Sequence, residues 1–420
     1  MFVPPKYRQQ VLFGTLLLIE VGLFVSRAAL SIGMIAFIVF TCLHKDLGKQ
    51  LLRGIKTPLL LGLTALFLIA LITGLWSEDK QEWIAVLRIK LPLLLFPLAF
   101  AGDWELSRVK WRQLAFILLA MLFCGTIWSM SQYLQNIEAH NKDYNYARTF
   151  ATPLEDDHVR FSWLVGVGLL FVIALWKEVR RNMRWLLALL FAWFVIYLHI
   201  LAARTGLAVI YILLVASVLY FLFKKRSLKQ TLATIVLAIV VPTMAILFLP
   251  SFRNKLNYFR YDLSYIQKNT YLPGANDGNR FLSLKAGWSL MNQHPLGIGF
   301  GDIKSSADNW LDKNVQGILP TDRLYPSSEW LVYGCGAGWL GLFLFTVIML
   351  VPLFIKNIRY RFLWLVLNCT AAFSFLFDVG LEVQFGVFLY VFFVLWWWKW
   401  LTPERISLNN AARTVNSHNM

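Results

Sequence analysis

The sequence is poor in acidic residues, histidine and cysteine, and each shortage argues against a class of protein. Its 420 residues include 23 Asp and Glu against 40 Lys and Arg, with six His and four Cys. All four cysteines lie in or beside apolar stretches, so no disulfide framework is predicted. The histidines are scattered, and no Cys-x-x-Cys or His-x-x-x-His spacing occurs. We therefore predict neither a metal site nor a cofactor.

Polar sequence is also scarce, and this scarcity places the chain in a membrane. Hydrophobic residues make up 58% of the chain and charged residues only 15%, whereas soluble domains are about one quarter charged. A helix of about 20 apolar residues crosses the hydrocarbon core of a bilayer. The sequence therefore predicts an all-α, polytopic bundle of about 12 transmembrane helices, at 11–26, 28–43, 57–76, 83–100, 113–133, 161–176, 185–203, 205–223, 231–249, 328–354, 362–379 and 383–399.

The distribution of positive charge predicts the orientation. Three or four Lys or Arg stand in each of five alternate connections, 44–56, 101–112, 177–184, 224–229 and 356–361, which we predict to be cytoplasmic. Ser77–Gln81 has only Lys80, and Asp378–Glu382 has no Lys or Arg. Both termini would then lie inside. The same cations, which orient the helices during membrane insertion, also explain the net charge of +17. Nucleic acid is therefore not predicted as a partner.

One long polar segment, 250–327, interrupts the spans between the ninth and the tenth. We predict a single membrane domain over 1–401, with 250–327 as an extracytoplasmic loop and 402–420 as a cytoplasmic tail. Helical spacing of apolar residues in 279–293 predicts an amphipathic helix on the membrane face of the protein, with turn and cap residues at 276–279. Nine Lys and Arg residues in this loop indicate an anionic ligand.

Two arginines are the sharpest candidates for binding that ligand. Arg204 stands at the outer end of a tight helical hairpin and is followed by Thr205-Gly206, and Arg280 lies on the loop helix. Arg204 could instead extend to the membrane interface, and Arg280 could belong to a solvated helix face. If the two converge, their guanidinium groups suit a diphosphate, because each binds phosphate oxygens bidentately and stays charged.

Further polar residues lie at or inside spans, where a charge is costly unless it faces a cavity or a partner. We predict substrate contacts for Arg88 and Lys90 in the fourth span, and for His158 and Arg160 ahead of the sixth. Glu329 opens the tenth span, where it could orient an arginine, accept a proton or cap the helix. The Gly-rich run 295–301 is either a phosphate-binding loop or, as we favour, a turn.

Four short motifs together resemble the O-antigen ligase and O-antigen polymerase superfamily of bacterial envelope glycosyltransferases. They are Ala203-Arg204-Thr205-Gly206, Gly278-Asn279-Arg280, His294 to Gly299 and Gly336 to Gly341. The resemblance implies metal-independent transfer of a glycan from undecaprenyl diphosphate to an acceptor hydroxyl, among membrane lipids at the extracytoplasmic side of the bacterial inner membrane. It also implies that Arg204 and Arg280 hold the diphosphate.

The chain departs from the ligase pattern at one place. Ligases commonly carry a histidine where the span after the large loop begins, and here that place reads Pro326-Ser327-Ser328-Glu329. The resemblance therefore makes Glu329 the candidate substitute for the general base and Ser327 and Ser328 candidate substrate contacts. A mechanism in which the arginines do most of the work is the alternative.

Several functions remain open. Ligase, polymerase and protein O-oligosaccharyltransferase differ in the acceptor, which is a lipid A-core sugar, a growing glycan or a protein hydroxyl. A transporter or flippase would also have about twelve spans, although such carriers usually have two similar halves, and no internal repeat is evident here. An envelope scaffold would tolerate lysine in place of Arg204.

Overall fold

The computed structural model describes residues 5–146, 148–267 and 271–402, with side chains from Tyr7 onward. Residues 403–420 of the predicted tail, 402–420, lie outside the described residues. The described part is helical and contains no β-strand. Its helices are α1 Pro5–Val25, α2 Arg27–Cys42, α3 Leu47–Lys56, α4 Pro58–Ile72, α5 Lys80–Lys90, α6 Pro92–Phe100, α7 Arg108–Gln135, α8 Ile137–Asp143, α9 His158–Leu175, α10 Arg184–Leu201, α11 Arg204–Leu219, α12 Leu228–Phe248, α13 Pro250–Gln267, α14 Asn276–Gln293, α15 Ile303–Asn314, α16 Glu329–Phe354, α17 Arg361–Phe377 and α18 Gln384–Leu401.

These helices confirm the predicted all-α membrane bundle. By length and composition, ten helical stretches of the described residues could cross a membrane, and the bent pair of α2 and α3, which meet at 105°, would be an eleventh. The shorter apolar helix α17 matches the remaining predicted span. Each of the twelve predicted spans therefore corresponds to a helix or to a run of two helices.

The centre of the bundle is α18, of which 83% is buried, whereas only 17% of α12 is buried. Buried aromatic side chains of α18 pack on neighbouring helices, as where Phe388 and Phe392 contact Phe96. The apolar residues of α12 remain exposed, as expected of a helix that faces lipid, because lipid tails are as apolar as leucine. The site described below lies around one end of this central helix.

Helices α13, α14 and α15 cover one end of the bundle, which we call the loop side. Helix α14 packs against α16, whose helical path breaks at Ala337 and Gly338. The Gly-rich run fills this break: Ile298 and Gly299 donate their amides to the carbonyls of Cys335 and Gly336, at 2.8 and 3.0 Å.

Other amides of the run are occupied as well. Phe300 donates to the Thr73 hydroxyl at 3.3 Å, and Gly301 donates to the Ser77 hydroxyl at 3.0 Å. A phosphate-binding loop needs free backbone amides. The run is therefore a turn that docks onto α16, as predicted.

The loop helix differs from its prediction in two ways. It begins at Asn276, so the residues expected to form its turn and cap lie inside it. The cap comes instead from α13, where Asp262 accepts hydrogen bonds from the amides of Asp277 and Gly278 at 2.6 and 3.0 Å. Two of the donors left unpaired at a helix start are satisfied in this way.

The buried face of α14 also differs. Small residues such as Ser283, Ala286 and Gly287 are buried there, whereas Phe281 and Trp288 from the predicted apolar face are exposed. A Cβ atom at Gly287 would lie only 2.9 Å from the side chain of Pro326. Close approach to α16, not an apolar stripe, therefore determines which face of α14 is buried.

Candidate anion-binding site

Arg204 and Arg280 converge at the loop side. The chain reverses tightly between α10 and α11, through Ala202 in the left-handed conformation with φ of 51°, and so places Arg204 at the first position of α11. Its guanidinium forms an ion pair with Asp277 of α14. Asp277 and Arg280 are three residues apart and therefore share a helix face. Both arginines therefore lie at the same face of α14, and their joint role as one site stays a prediction.

The guanidinium of Arg204 is partly accessible. Its side chain is 51% exposed, whereas that of Asp277 is 7% exposed. The guanidinium also lies over the ring of Phe259, 5.3 Å from its centroid. An anion could therefore reach Arg204 from solvent, although Asp277 occupies part of its hydrogen-bonding capacity.

Arg280 is more enclosed. Nη1 donates to the carbonyl of Phe377, at the end of α17, at 2.8 Å, and Nε donates to Oδ1 of Asn276 at 3.2 Å. Burial lowers the pKa of Arg280, which nevertheless remains charged at physiological pH. The result is a fixed positive charge whose direction is set by α14 and α17 together.

Arg160 adds a third guanidinium near the end of α17. Its Nη2 lies 2.9 Å from Oδ2 of Asp378, and its Nε lies 3.6 Å from Oδ2 of Asp157. Arg160 and Asp378 line a small open hollow between α9, α17 and α18. Trp163 and Phe375 are among its apolar walls.

Lys255 of α13 is a fourth cation beside these groups. Burial and the nearby charge of Arg204 lower the pKa of the Lys255 ammonium to about 8. His158, a predicted site residue, lies beside Lys255. Sequence reasoning did not single out Lys255, because nothing distinguishes it from the other loop cations. Sequence reasoning also missed Asp277 and Asp378. The sequence feature that could have identified them is an acidic residue near a helix end that carries a cation.

Lys90 and Glu329 lie in a second, buried cluster. The Lys90 side chain is fully buried, forms an ion pair with Glu382 and donates to the carbonyl of Leu381 at 3.1 Å. Glu329 is also fully buried, and its Oε1 accepts the amide of Leu381. Its Oε2 has no hydrogen-bond partner among the described residues. The idea that Glu329 orients an arginine is wrong, because its polar contact is to this backbone amide.

The remaining predicted residues do not face the arginines. The Ser327 hydroxyl accepts a hydrogen bond from Ser283 at 2.8 Å, and the Ser328 hydroxyl donates to the carbonyl of Phe375 at 3.4 Å. Both serines are buried, so their hydroxyls contact other parts of the protein and are not exposed to a ligand. Arg88 is exposed on α5. It lies two residues from Lys90, a spacing that puts the two on different faces of a helix.

Within the described ranges, no group of three or more His, Cys, Asp or Glu side chains has an arrangement that could hold a metal ion. The basic side chains gathered at the loop side are Arg160, Arg204, Lys255 and Arg280, of which Arg160 and Arg204 are paired with Asp378 and Asp277. Guanidinium and ammonium donors bind phosphate oxygens.

Fold and site together define a polytopic helical membrane protein with a cationic site at one end of its bundle. Residues 189–346 match the family model described as O-antigen ligase. Over this segment the chain is similar to the O-antigen ligase family, which supports the resemblance that the four motifs predicted. The matched segment runs from α10 into α16 and includes Arg204, Arg280 and Glu329. No curated protein matches the chain.

Proposed function

We propose that this protein transfers a glycan from undecaprenyl diphosphate to an acceptor hydroxyl, and that the loop side is the extracytoplasmic face of the bacterial inner membrane. The observation that carries the proposal is the convergence of Arg204 and Arg280 on one face of α14. A diphosphate carries several negative charges, and two guanidinium groups at fixed positions would hold it in one orientation.

The same arginines would act in the chemical step. The acceptor oxygen attacks the anomeric carbon from the face opposite the diphosphate, as in an inverting reaction, and the bond from that carbon to the diphosphate oxygen breaks. The bonding electrons leave with the diphosphate, and the hydroxyl proton passes to solvent water. Preorganised donors stabilise the charge that develops on the leaving group, and removal of one such donor costs about 10²–10³ in kcat.

Asp277 gives the site a counter-ion before the donor arrives. Its carboxylate holds Arg204, so a diphosphate oxygen would replace one carboxylate oxygen as a partner of the guanidinium. The adjacent hollow, with Arg160 and Asp378 beside its apolar walls, would receive the first isoprene units of the carrier.

Glu329 is poorly placed for the role of general base. Its carboxylate is fully buried against the backbone of Leu381, and a base must come within hydrogen-bond reach of the hydroxyl that it deprotonates. The geometry therefore favours a mechanism in which the arginines supply most of the stabilisation. Ligase, polymerase and protein O-oligosaccharyltransferase all fit this mechanism, because they differ in the acceptor.

Transfer with purified components tests the proposal. The protein in detergent would be supplied with an undecaprenyl-diphosphate glycan and with lipid A-core, glycan and protein acceptors, in wild-type form and as Arg204→Ala and Arg280→Ala. We expect transfer by the wild type, a loss of at least 100-fold in either variant, and near-normal transfer by Arg260→Ala, which removes an exposed arginine of α13. The labelled acceptor identifies the subclass. Normal turnover by both site variants would refute the role of the arginines.

A transporter makes a different prediction in proteoliposomes. A flippase would move the lipid-linked glycan across the bilayer without forming a new glycosidic bond. Translocation without transfer would replace the proposed reaction with this alternative.

A further inference from the structure

The connection between α17 and α18 contacts predicted site residues on both of its sides. On one side, Arg280 donates to the carbonyl of Phe377 at 2.8 Å, and Arg160 pairs with Asp378 at 2.9 Å. On the other side, Lys90 and Glu329 hold Leu381 and Glu382. We call residues 377–382 the α17–α18 connection.

We propose that Lys90, Glu329 and Glu382 form a buried support that positions the α17–α18 connection and, through it, the guanidinium groups of Arg160 and Arg280. In this account Lys90 and Glu329 are positioning residues that do not touch the substrate. The inference rests on the proposed function for its catalytic consequence, whereas its structural part stands independently.

The support holds both polar backbone groups of Leu381. Glu329 of α16 accepts its amide, and Lys90 of α5 donates to its carbonyl at 3.1 Å. The Lys90 ammonium also lies against the rings of Phe300 and Tyr333, 5.2 and 5.0 Å from their centroids. Buried hydrogen bonds of this kind are electrostatically strong, and loss of one partner leaves the other unsatisfied.

Close packing transmits this constraint along the connection. Glu382 donates its amide to the carbonyl of Val379 at 3.2 Å, which closes a turn. A Cβ atom at Gly386 would lie 2.0 Å from the carbonyl oxygen of Gly380, and one at Gly380 would lie 2.8 Å from the ring of Phe375. The ends of α17 and α18 therefore hold the connection with little free space, so a shift at Leu381 would reach Asp378 and Phe377.

The consequence for transfer follows from the sensitivity of catalysis to position. A misplacement of about 1 Å can cost about 10²-fold in rate, even when the altered residue lies away from the chemistry. Loss of the support would move the partners of Arg160 and Arg280, and the expected effect is on donor binding as well as on turnover. A general base would instead affect the chemical step, by about 10²–10⁴-fold.

Paired substitutions at Glu329 separate these roles. Glu329→Gln keeps an oxygen that can accept the Leu381 amide, so we expect transfer within about tenfold of wild type, whereas a lost general base costs at least about 100-fold. Glu329→Leu removes the acceptor, and we expect a loss of about 100-fold in kcat/KM with a raised KM for the donor. Equal and severe loss of kcat in both variants, with donor binding intact, would make Glu329 a base and overturn the inference.

Lys399 provides a matched control at the opposite end of α18. Its ammonium donates to the carbonyl of Gly102 at 3.0 Å, in the connection between α6 and α7. Lys90→Met and Lys399→Met therefore each remove a lysine that holds a connection. We expect Lys90→Met, and not Lys399→Met, to weaken binding of undecaprenyl diphosphate. Each variant is measured in detergent at the same interval below its own unfolding temperature. Equal weakening in both would overturn the inference.

Two measurements examine the connection itself. Amide hydrogen exchange in a peptide covering residues 377–384 should accelerate in Glu329→Leu and stay near wild type in Glu329→Gln. In donor binding, Glu329→Leu and Asp378→Asn should combine with less than multiplicative loss, because both act through one connection. Unchanged exchange in Glu329→Leu, or fully multiplicative losses, would contradict the proposal. A wild type that binds donor but transfers nothing would count against the proposed reaction alone.

Discussion

Replacement of Arg280 by lysine separates charge from geometry at the site. The positive charge remains, but the fork that reaches the carbonyl of Phe377 through Nη1 and Asn276 through Nε is lost. A single ammonium cannot reproduce both contacts and also bind two diphosphate oxygens. A hydrogen bond to a charged group is worth about 1.5–3 kcal/mol, so kcat/KM for transfer should fall by about 10–150-fold.

The assay is steady-state transfer from an undecaprenyl-diphosphate glycan, with Arg280→Ala and wild type measured in parallel. We expect Arg280→Lys to fall between them. Thermal unfolding in detergent controls for stability, because the variant also leaves two acceptors near the loop side without their donor. Full activity of Arg280→Lys would show that positive charge alone suffices and would refute the argument from guanidinium geometry.

Three further outcomes are expected. Affinity for undecaprenyl diphosphate should fall as pH rises through about 8, where Lys255 loses its proton, and this part of the pH dependence should vanish in Lys255→Gln. Titration of binding between pH 6.5 and 9.5 measures both effects. An equal pH dependence in the variant would exclude Lys255 as its source. Asp262→Ala, which removes the cap of α14, should lower the free energy of unfolding by about 0.5–2 kcal/mol, seen as a lower unfolding temperature; an unchanged temperature would mean that the cap adds no stability. Gly338→Ala should prevent normal folding, because its Cβ would lie 1.9 Å from the carbonyl oxygen of Pro295. Gly48→Ala on α3 should be tolerated, because a Cβ atom there meets no atom within 4 Å. Equal yields of the two folded variants would contradict this account of the α16 break.

The sequence predicted the spans well because the bilayer imposes one length on every helix that crosses it. Arg204 and Arg280 could also be singled out, since each occupies a short motif, and their joint role stays a prediction. Their partners could not be singled out. Asp277 neutralises Arg204 only after α14 docks beside α11, and Asp378 meets Arg160 only after α17 packs beside α9. Such pairings depend on tertiary contacts between segments far apart in the chain.

The expectations for α14 and for Glu329 differ from the structure for opposite reasons. Exposed Phe281 and Trp288 on α14 show that apolar character does not identify the buried face at this end of the bundle. In water the hydrophobic effect would favour burial of such residues, but beside a membrane their exposure can carry little cost. Glu329 misled for the opposite reason: a carboxylate at a helix start usually faces outward, whereas this one holds the amide of Leu381 in the interior.

Binding of undecaprenyl diphosphate to the purified protein tests the central claim most directly, because it requires no knowledge of the acceptor. We predict saturable binding by the wild type, weakened by at least tenfold in Arg204→Ala and in Arg280→Ala, and unchanged in Arg260→Ala. Equal affinity in all four proteins would contradict the claim that these two arginines form the diphosphate site.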